Sequence, residues 1–220
     1  MFIGHLSLAF AAKRATPRVS LPVLFVAAQF ADTLWPILVG LGVEQVRIDR
    51  GNTAFTPLDF VSYPWSHSLL TLTIFGVAFG GLYFARTRDA RAFAIIAALV
   101  VSHWVLDWIT HRPDMPLYPG GAKLGLGLWN SIPLTFAVEG AMFVAGLWIY
   151  GRATRPLDGQ GRWGLVGLVA VLLLVYVAGP LGGPPPSVRA LWIAAVTGIT
   201  AILLWSLWVD RHRTPLPAAL

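Results

Sequence analysis

The chain has no cysteine. That excludes disulfides, zinc fingers, iron–sulfur clusters and every thiolate ligand, so a metal site could draw only on His, Asp, Glu and water. Charge is scarce as well: 12% of the 220 residues are charged, against about 25% in a soluble domain. Hydrophobic residues make up 56%, and the mean hydropathy is +0.69. Composition alone therefore indicates an integral membrane protein. Neither an internal repeat nor a soluble domain is visible. The net charge of +6 would suit nucleic acid. The basic residues, however, lie in short loops between apolar segments, where they act as topology signals, so no nucleic-acid partner is expected.

What the chain does have is apolar length. A spanning helix needs roughly 20 mostly apolar residues. Six segments qualify: 19–43, 65–85, 92–111, 131–150, 163–180 and 189–209. The expected fold is all-α, a single polytopic membrane domain over 1–220 with about six transmembrane helices. Residues 2–12, "FIGHLSLAFAA", are apolar but too short to span. Lys13 and Arg14 follow them, whereas a signal peptide carries its positive charges in front. They read as a short N-terminal helix, re-entrant or interfacial. "GPLGGPPP" (179–186) reads as a tight loop. The loop 44–64 is polar, and the loop 112–130, with its glycine turns, is expected to fold against the membrane face.

Eleven basic residues fall on one side: Lys13, Arg14, Arg18, Arg86, Arg88, Arg91, Arg152, Arg155, Arg162, Arg211 and Arg213. The other side has five: Arg47, Arg50, Arg112, Lys123 and Arg189. The positive-inside rule then places both termini in the cytoplasm.

Against this background some residues do not belong in lipid. Asp32 lies in the first span, His67 at the start of the second, His103 and Asp107 in the third with His111 at its end, and Glu139 in the fourth. Ionisable groups at such depth cost roughly 2.5–3.5 kcal/mol each on insertion scales and mark functional sites. Their depths agree. At about 1.5 Å per residue, His103 and Glu139 sit about 12 Å, and Asp32 about 16 Å, from the non-cytoplasmic ends of their helices. The stretch "SHWVLDWITHRPD" (102–114) sets His103, Asp107 and His111 four residues apart. Each step turns only about 40° past a full turn and rises about 6 Å, so the three form a stripe on one face. Neighbours at this spacing can hold one ion, and three can bridge two. His with carboxylate suits zinc, iron or manganese better than magnesium or calcium. Pro36 follows Asp32 by four, which predicts a kink that frees the carbonyl of residue 32.

Each residue also has a plainer role open to it. His111 could cap its helix at the water interface, His67 could belong to an aromatic belt with Tyr63 and Trp65, and Glu139 could hydrogen-bond between helices. Asp49, Asp59 and Asp114 read as solvated or capping, and His212 as solvated. Asp114 is close enough to His111 to orient it.

Four motifs carry a family resemblance: "FIGH" (2–5), "FADTLWP" (30–36), "PWSHSLL" (64–70) and "SHWVLDWITHRPD". Over roughly the first two thirds of the chain they resemble the YdjM-like family, predicted metal-dependent hydrolases of the bacterial inner membrane. The ligand order is also similar to that of zinc-dependent phospholipase C, through His5, Asp32, His67, His103, Asp107, His111 and then Glu139. It departs from it at Thr135, where that order has a histidine, and in lacking the N-terminal tryptophan. One or two ions are therefore expected rather than three.

The combined expectation is a multi-pass protein of the bacterial inner membrane that hydrolyses a lipid or lipid-linked phosphoester. His5, Asp32, His67, His103, Asp107 and His111 would hold one or two divalent ions, zinc ahead of the others, with Glu139 as general base or as an orienting residue. Arg112 and Lys123 would meet anionic headgroups of membrane lipids. A transporter or channel for protons, metal ions or small solutes is the alternative, as is a non-catalytic membrane protein with a structural metal. The oligomeric state is not legible.

Overall fold

The computed structural model describes residues 1–216. Its helices run in the order α1 (Ile3–Ala15), α2 (Leu21–Ala28), α3 (Phe30–Gly40), α4 (Pro64–His67), α5 (Leu69–Thr87), α6 (Ala90–Thr110), α7 (Ile132–Ala153), α8 (Gly159–Leu181) and α9 (Val188–Arg211). The last five are long and apolar enough to cross a membrane, and α2 with α3 makes a sixth candidate span, bent by 63°. The architecture is an all-α multi-pass bundle.

The five long helices all start on a capping side chain. Ser68, Asp89, Ser131, Asp158 and Ser187 each accept the backbone N–H three residues on. These caps satisfy donors that a helix start would otherwise leave orphaned. Arg88, left-handed at φ 58°, ends α5 and turns the chain straight into α6. The two helices pack tightly because Gly76 and Gly80 lie against the carbonyls of Ala97 and Phe93, the small-residue contact that spanning helices use where apolar burial gives no drive.

Two expectations change. The first span is not one helix kinked at Pro36. It breaks at Gln29, and α3 continues through Pro36. The cause lies on another helix: the imidazole Nδ1 of His103 donates to the carbonyl of Ala28 at 2.8 Å. A side chain inserted into the backbone ladder bends a helix at that point.

Residues 2–12 do not lie at an interface either. α1 is enclosed by the bundle, with Ile3, His5, Leu6, Ala9 and Phe10 buried, and it runs along α7. A helix that is apolar on nearly every side must be buried. At about 20 Å it is too short to cross a core of about 30 Å, so its re-entrant character stands. Gly146 of α7 allows the approach, since a side chain there would overlap the backbone of Ser7.

Between helices the chain forms three two-stranded antiparallel ladders. β1 (Gln45–Ile48) pairs with β2 (Leu58–Ser62), β3 (Met115–Pro116) with β4 (Lys123–Leu124), and β5 (Thr154–Pro156) with β6 (Arg213–Pro215). Two of the residues read as solvated are partly exposed, as expected, and also form ion pairs. Asp59 takes an ion pair from Arg112, and His212 bonds Asp158 at 2.8 Å. The alternating helix directions gather the end of α3, α4, the start of α5, the end of α6, the start of α7 and the α8–α9 turn at one end of the bundle. That end holds the polar cluster.

Candidate metal centre

Asp107, one turn from the end of α6, is the hub. Its Oδ1 receives Nε2 of His5 at 3.0 Å and the α-amino group of Met1. Its Oδ2 faces three imidazoles, with Nε2 of His103 at 3.1 Å, of His67 at 3.7 Å and of His111 at 3.9 Å. Asp32 comes in from α3, its Oδ1 3.5 Å from Nε2 of His67 and 3.8 Å from Nε2 of His103. Four helices, α1, α3, α4 and α6, thus bring together the His and Asp residues singled out in the sequence. Two groups have ligand atoms within 4.8 Å of one another: His5, His103 and Asp107, and Asp32, His67 and His103. His111 belongs to neither and stands at the rim.

The far side of each imidazole decides the chemistry. His103 gives its Nδ1 proton to the carbonyl of Ala28. His111 gives its own to Oδ1 of Asp114 at 3.0 Å. For His67 the reasoning takes one more step. Ser66 Oγ donates to Oε2 of Glu44 at 2.6 Å and so must accept from Nδ1 of His67 at 2.7 Å. With Nδ1 protonated, the neutral ring carries its lone pair on Nε2. Three such lone pairs therefore point at Asp107 Oδ2. Nε2 of His103 is buried and has no hydrogen-bond partner among the described residues. His5 differs, since no group among the described residues holds its Nδ1. Its ring stacks on that of His103 with centroids 3.7 Å apart and planes 7° from parallel.

Glu44 was not legible as part of the site, because an acid in a polar loop reads as solvated. Here it is buried. It accepts the backbone N–H of Trp65 and Ser66 as well as the Ser66 hydroxyl, and so fixes the α4 turn that presents His67. Asp114 holds His111 as its spacing suggested. Burial pushes the Asp114 carboxyl up, but hydrogen bonds from His111, Tyr63 and Arg112 outweigh that and hold it below the usual carboxylate range. Glu139 belongs to neither ligand group. Its Oε2 accepts the backbone N–H of Phe2 at 2.9 Å and of Gly4 at 3.2 Å, which anchors the start of α1. Lys123 lies exposed on β4.

A cavity of about 430 Å³ opens above the cluster, with Asp32, His67, Asp107 and His111 in its lining. Phe55, Phe60 and Trp129 wall it on the loop side, and Gly179, Gly183 and Pro185 from the α8–α9 turn close the other side. Comparisons with family models, with curated proteins and with solved structures gave no match in any of the three.

Proposed function

We propose that the protein is a metal-dependent hydrolase of the YdjM-like kind. It would sit in the bacterial inner membrane with its C-terminus cytoplasmic and act on a lipid or lipid-linked phosphoester. The expected cytoplasmic N-terminus does not fit, since the Met1 amino group lies on Asp107 at the opposite end of the bundle from Asp210. The observation that carries this reading is the convergence of three Nε2 lone pairs on Asp107 Oδ2, each ring pinned from behind at Nδ1. Metal-binding histidines are oriented in this way by their outer-shell partners. Lone pair against carboxylate is repulsive, so the array calls for positive charge at its centre. Protons answer poorly, because imidazoliums stacked at the 3.7 Å of His5 and His103 would repel.

The spacing also fits. Ligand atoms on a tetrahedral ion with bonds of about 2.0–2.1 Å lie about 3.3 Å apart. Asp32 Oδ1 lies 3.5 Å and 3.8 Å from Nε2 of His67 and His103, and Asp107 Oδ2 lies 3.1 Å from Nε2 of His103, the histidine common to the two groups. The all-nitrogen and carboxylate donor set favours zinc. Bound there, zinc would supply Lewis acidity toward a phosphoryl oxygen and toward water at neutral pH.

In this reading Asp32, His67, His103 and Asp107 hold the ion, with His5 beside them. His111, at the rim and backed by Asp114, carries the proton. It takes one from the attacking water and returns it to the leaving alcohol oxygen as the phosphorus–oxygen ester bond breaks. Glu139 positions α1 and through it His5. Arg112, held by Asp59 and Asp114, would meet an anionic headgroup.

The test uses detergent-purified protein incubated with bacterial phospholipids and lipid phosphates, with products read by phosphorus NMR. His111→Ala is expected to keep its zinc and lose turnover by about 10²–10⁴-fold, the usual worth of a positioned acid–base group. Zinc-loaded wild-type protein that releases nothing from this panel would overturn the hydrolase reading. A second expectation concerns the Ser66 relay. Ser66→Ala removes the acceptor that fixes the His67 ring and is expected to weaken zinc binding by about 10–100-fold, as measured by competition with a chromophoric chelator.

A further inference from the structure

The helices α8 and α9 touch closely only toward the end remote from the metal centre. There Gly161 lies against the backbone of His212, Gly164 against the ring of Trp208 and Gly167 against the ring of Trp205. The indole of Trp205 is fixed in place by donating to the carbonyl of Gly164 at 3.0 Å. Beyond Trp205 the pair separates, and a second cavity of about 370 Å³ fills the gap. Its walls include Val171 and Val175 of α8 and Ala194, Gly198, Ile202 and Trp205 of α9. The only ionisable group in its lining is Asp32, which also lines the cavity above the metal centre, as does Phe2. Leu191, less than one turn before Ala194 on α9, belongs to that first cavity.

We infer that this groove holds one hydrocarbon chain of the substrate, with the polar end at Asp32 and the chain running down to Trp205. The length supports a lipid. Ala194 to Trp205 is 12 residues of α9, whose 11 steps give roughly 16 Å of rise. Half of a hydrocarbon core of about 30 Å is about 15 Å, the depth of one leaflet. The lining is apolar except for Asp32 and Gln29, and Asp32 joins it to the cavity above the polar cluster, which matches an amphiphile lying parallel to the lipids around it. The identity of the amphiphile as a substrate rests on the hydrolase reading; its binding in the groove does not.

The probe is a phosphatidic acid with a diazirine near the end of one acyl chain, mixed into phosphatidylcholine nanodiscs that hold the full chain. After illumination, adducts are mapped by mass spectrometry and zinc is measured on the same sample. Adducts are expected on Val171, Val175 and the stretch from Gly198 to Trp205, in excess of those on outward-facing Leu174 and Val144. Gly198→Phe should abolish the excess, because a side chain there meets open space among the described residues and fills the groove. Gly81→Phe on α5, also in open space, should leave it intact. Adducts as dense on Leu174 and Val144 as in the groove, or an excess that survives Gly198→Phe, would overturn the inference. The labelling map decides the matter even if Gly198→Phe fails to fold. Groove labelling on metal-free protein would keep the chain site and sink the hydrolase reading, while zinc-loaded protein without groove labelling would do the reverse.

Discussion

Replacing Asp107 with alanine is expected to leave the detergent-purified protein without metal, where wild-type protein carries near-stoichiometric zinc by elemental mass spectrometry. The expectation follows from how both carboxylate oxygens are used. Oδ1 takes His5 and the Met1 amino group, and Oδ2 is faced by His67, His103 and His111. No other residue in the cluster meets four imidazoles. The loss of affinity should exceed the about 10–100-fold that follows loss of an outer-shell partner, and so should exceed that of Ser66→Ala. Asp32→Ala should cost less, because Asp32 approaches only His67 and His103 and its side chain is 33% exposed. Wild-type protein free of metal after chelator-free purification would contradict the expectation. Asp107 would then serve only as the acceptor for His5 and the Met1 amino group.

The second large effect is on stability. Gly146→Leu should destabilise the bundle by about 3 kcal/mol or more, at or above the usual range for overpacking, because it must move backbone and not only side chains. The added carbon would overlap the backbone of Ser7. α1 has no room to retreat, since its start is tied to Glu139 and its length lies among α2, α6 and α7. Displacing α1 also withdraws His5 from Asp107, so zinc should weaken in parallel. Gly140→Leu, two turns earlier on the same helix, points into space left open by the described residues and should change stability by less than about 0.5 kcal/mol. Thermal unfolding followed by tryptophan fluorescence distinguishes the two. Equal melting of both variants would mean that the close approach of α1 and α7 does not matter.

Much of the bundle was legible because lipid leaves little choice. An apolar run long enough to span must be helical, since no water can satisfy its backbone, and the segments 92–111 and 131–150 agree with α6 and α7 to within a few residues. The stripe of His103, Asp107 and His111 was legible for a similar reason: helical spacing fixes a face before any partner is known. What lay hidden was whatever depends on a second helix. The break at Gln29 is imposed by His103, some 75 residues on, while Pro36, the local signal, leaves α3 continuous. Glu44 had no mark to separate it from the other loop acids until Ser66 and His67 folded over it. Glu139 was correctly suspected as buried, but its partners are backbone N–H groups of α1, which no side-chain pattern announces.

The β5–β6 ladder joins the link before α8 to the tail after α9, directly below the contacts of Gly161, Gly164 and Gly167. The two helices are thus fastened at the end far from the metal centre. Their covalent connection at the near end, "LGGPPP" (181–186), is not needed to keep them side by side. That turn is therefore free of scaffolding duty, although Gly183 and Pro185 help line the cavity above the polar cluster. A segment that borders a site without supporting the fold can change composition and length at little cost to stability. Substitutions and length changes in this turn should therefore cost the fold little, whereas side chains added at Gly161, Gly164 or Gly167 should part the two helices.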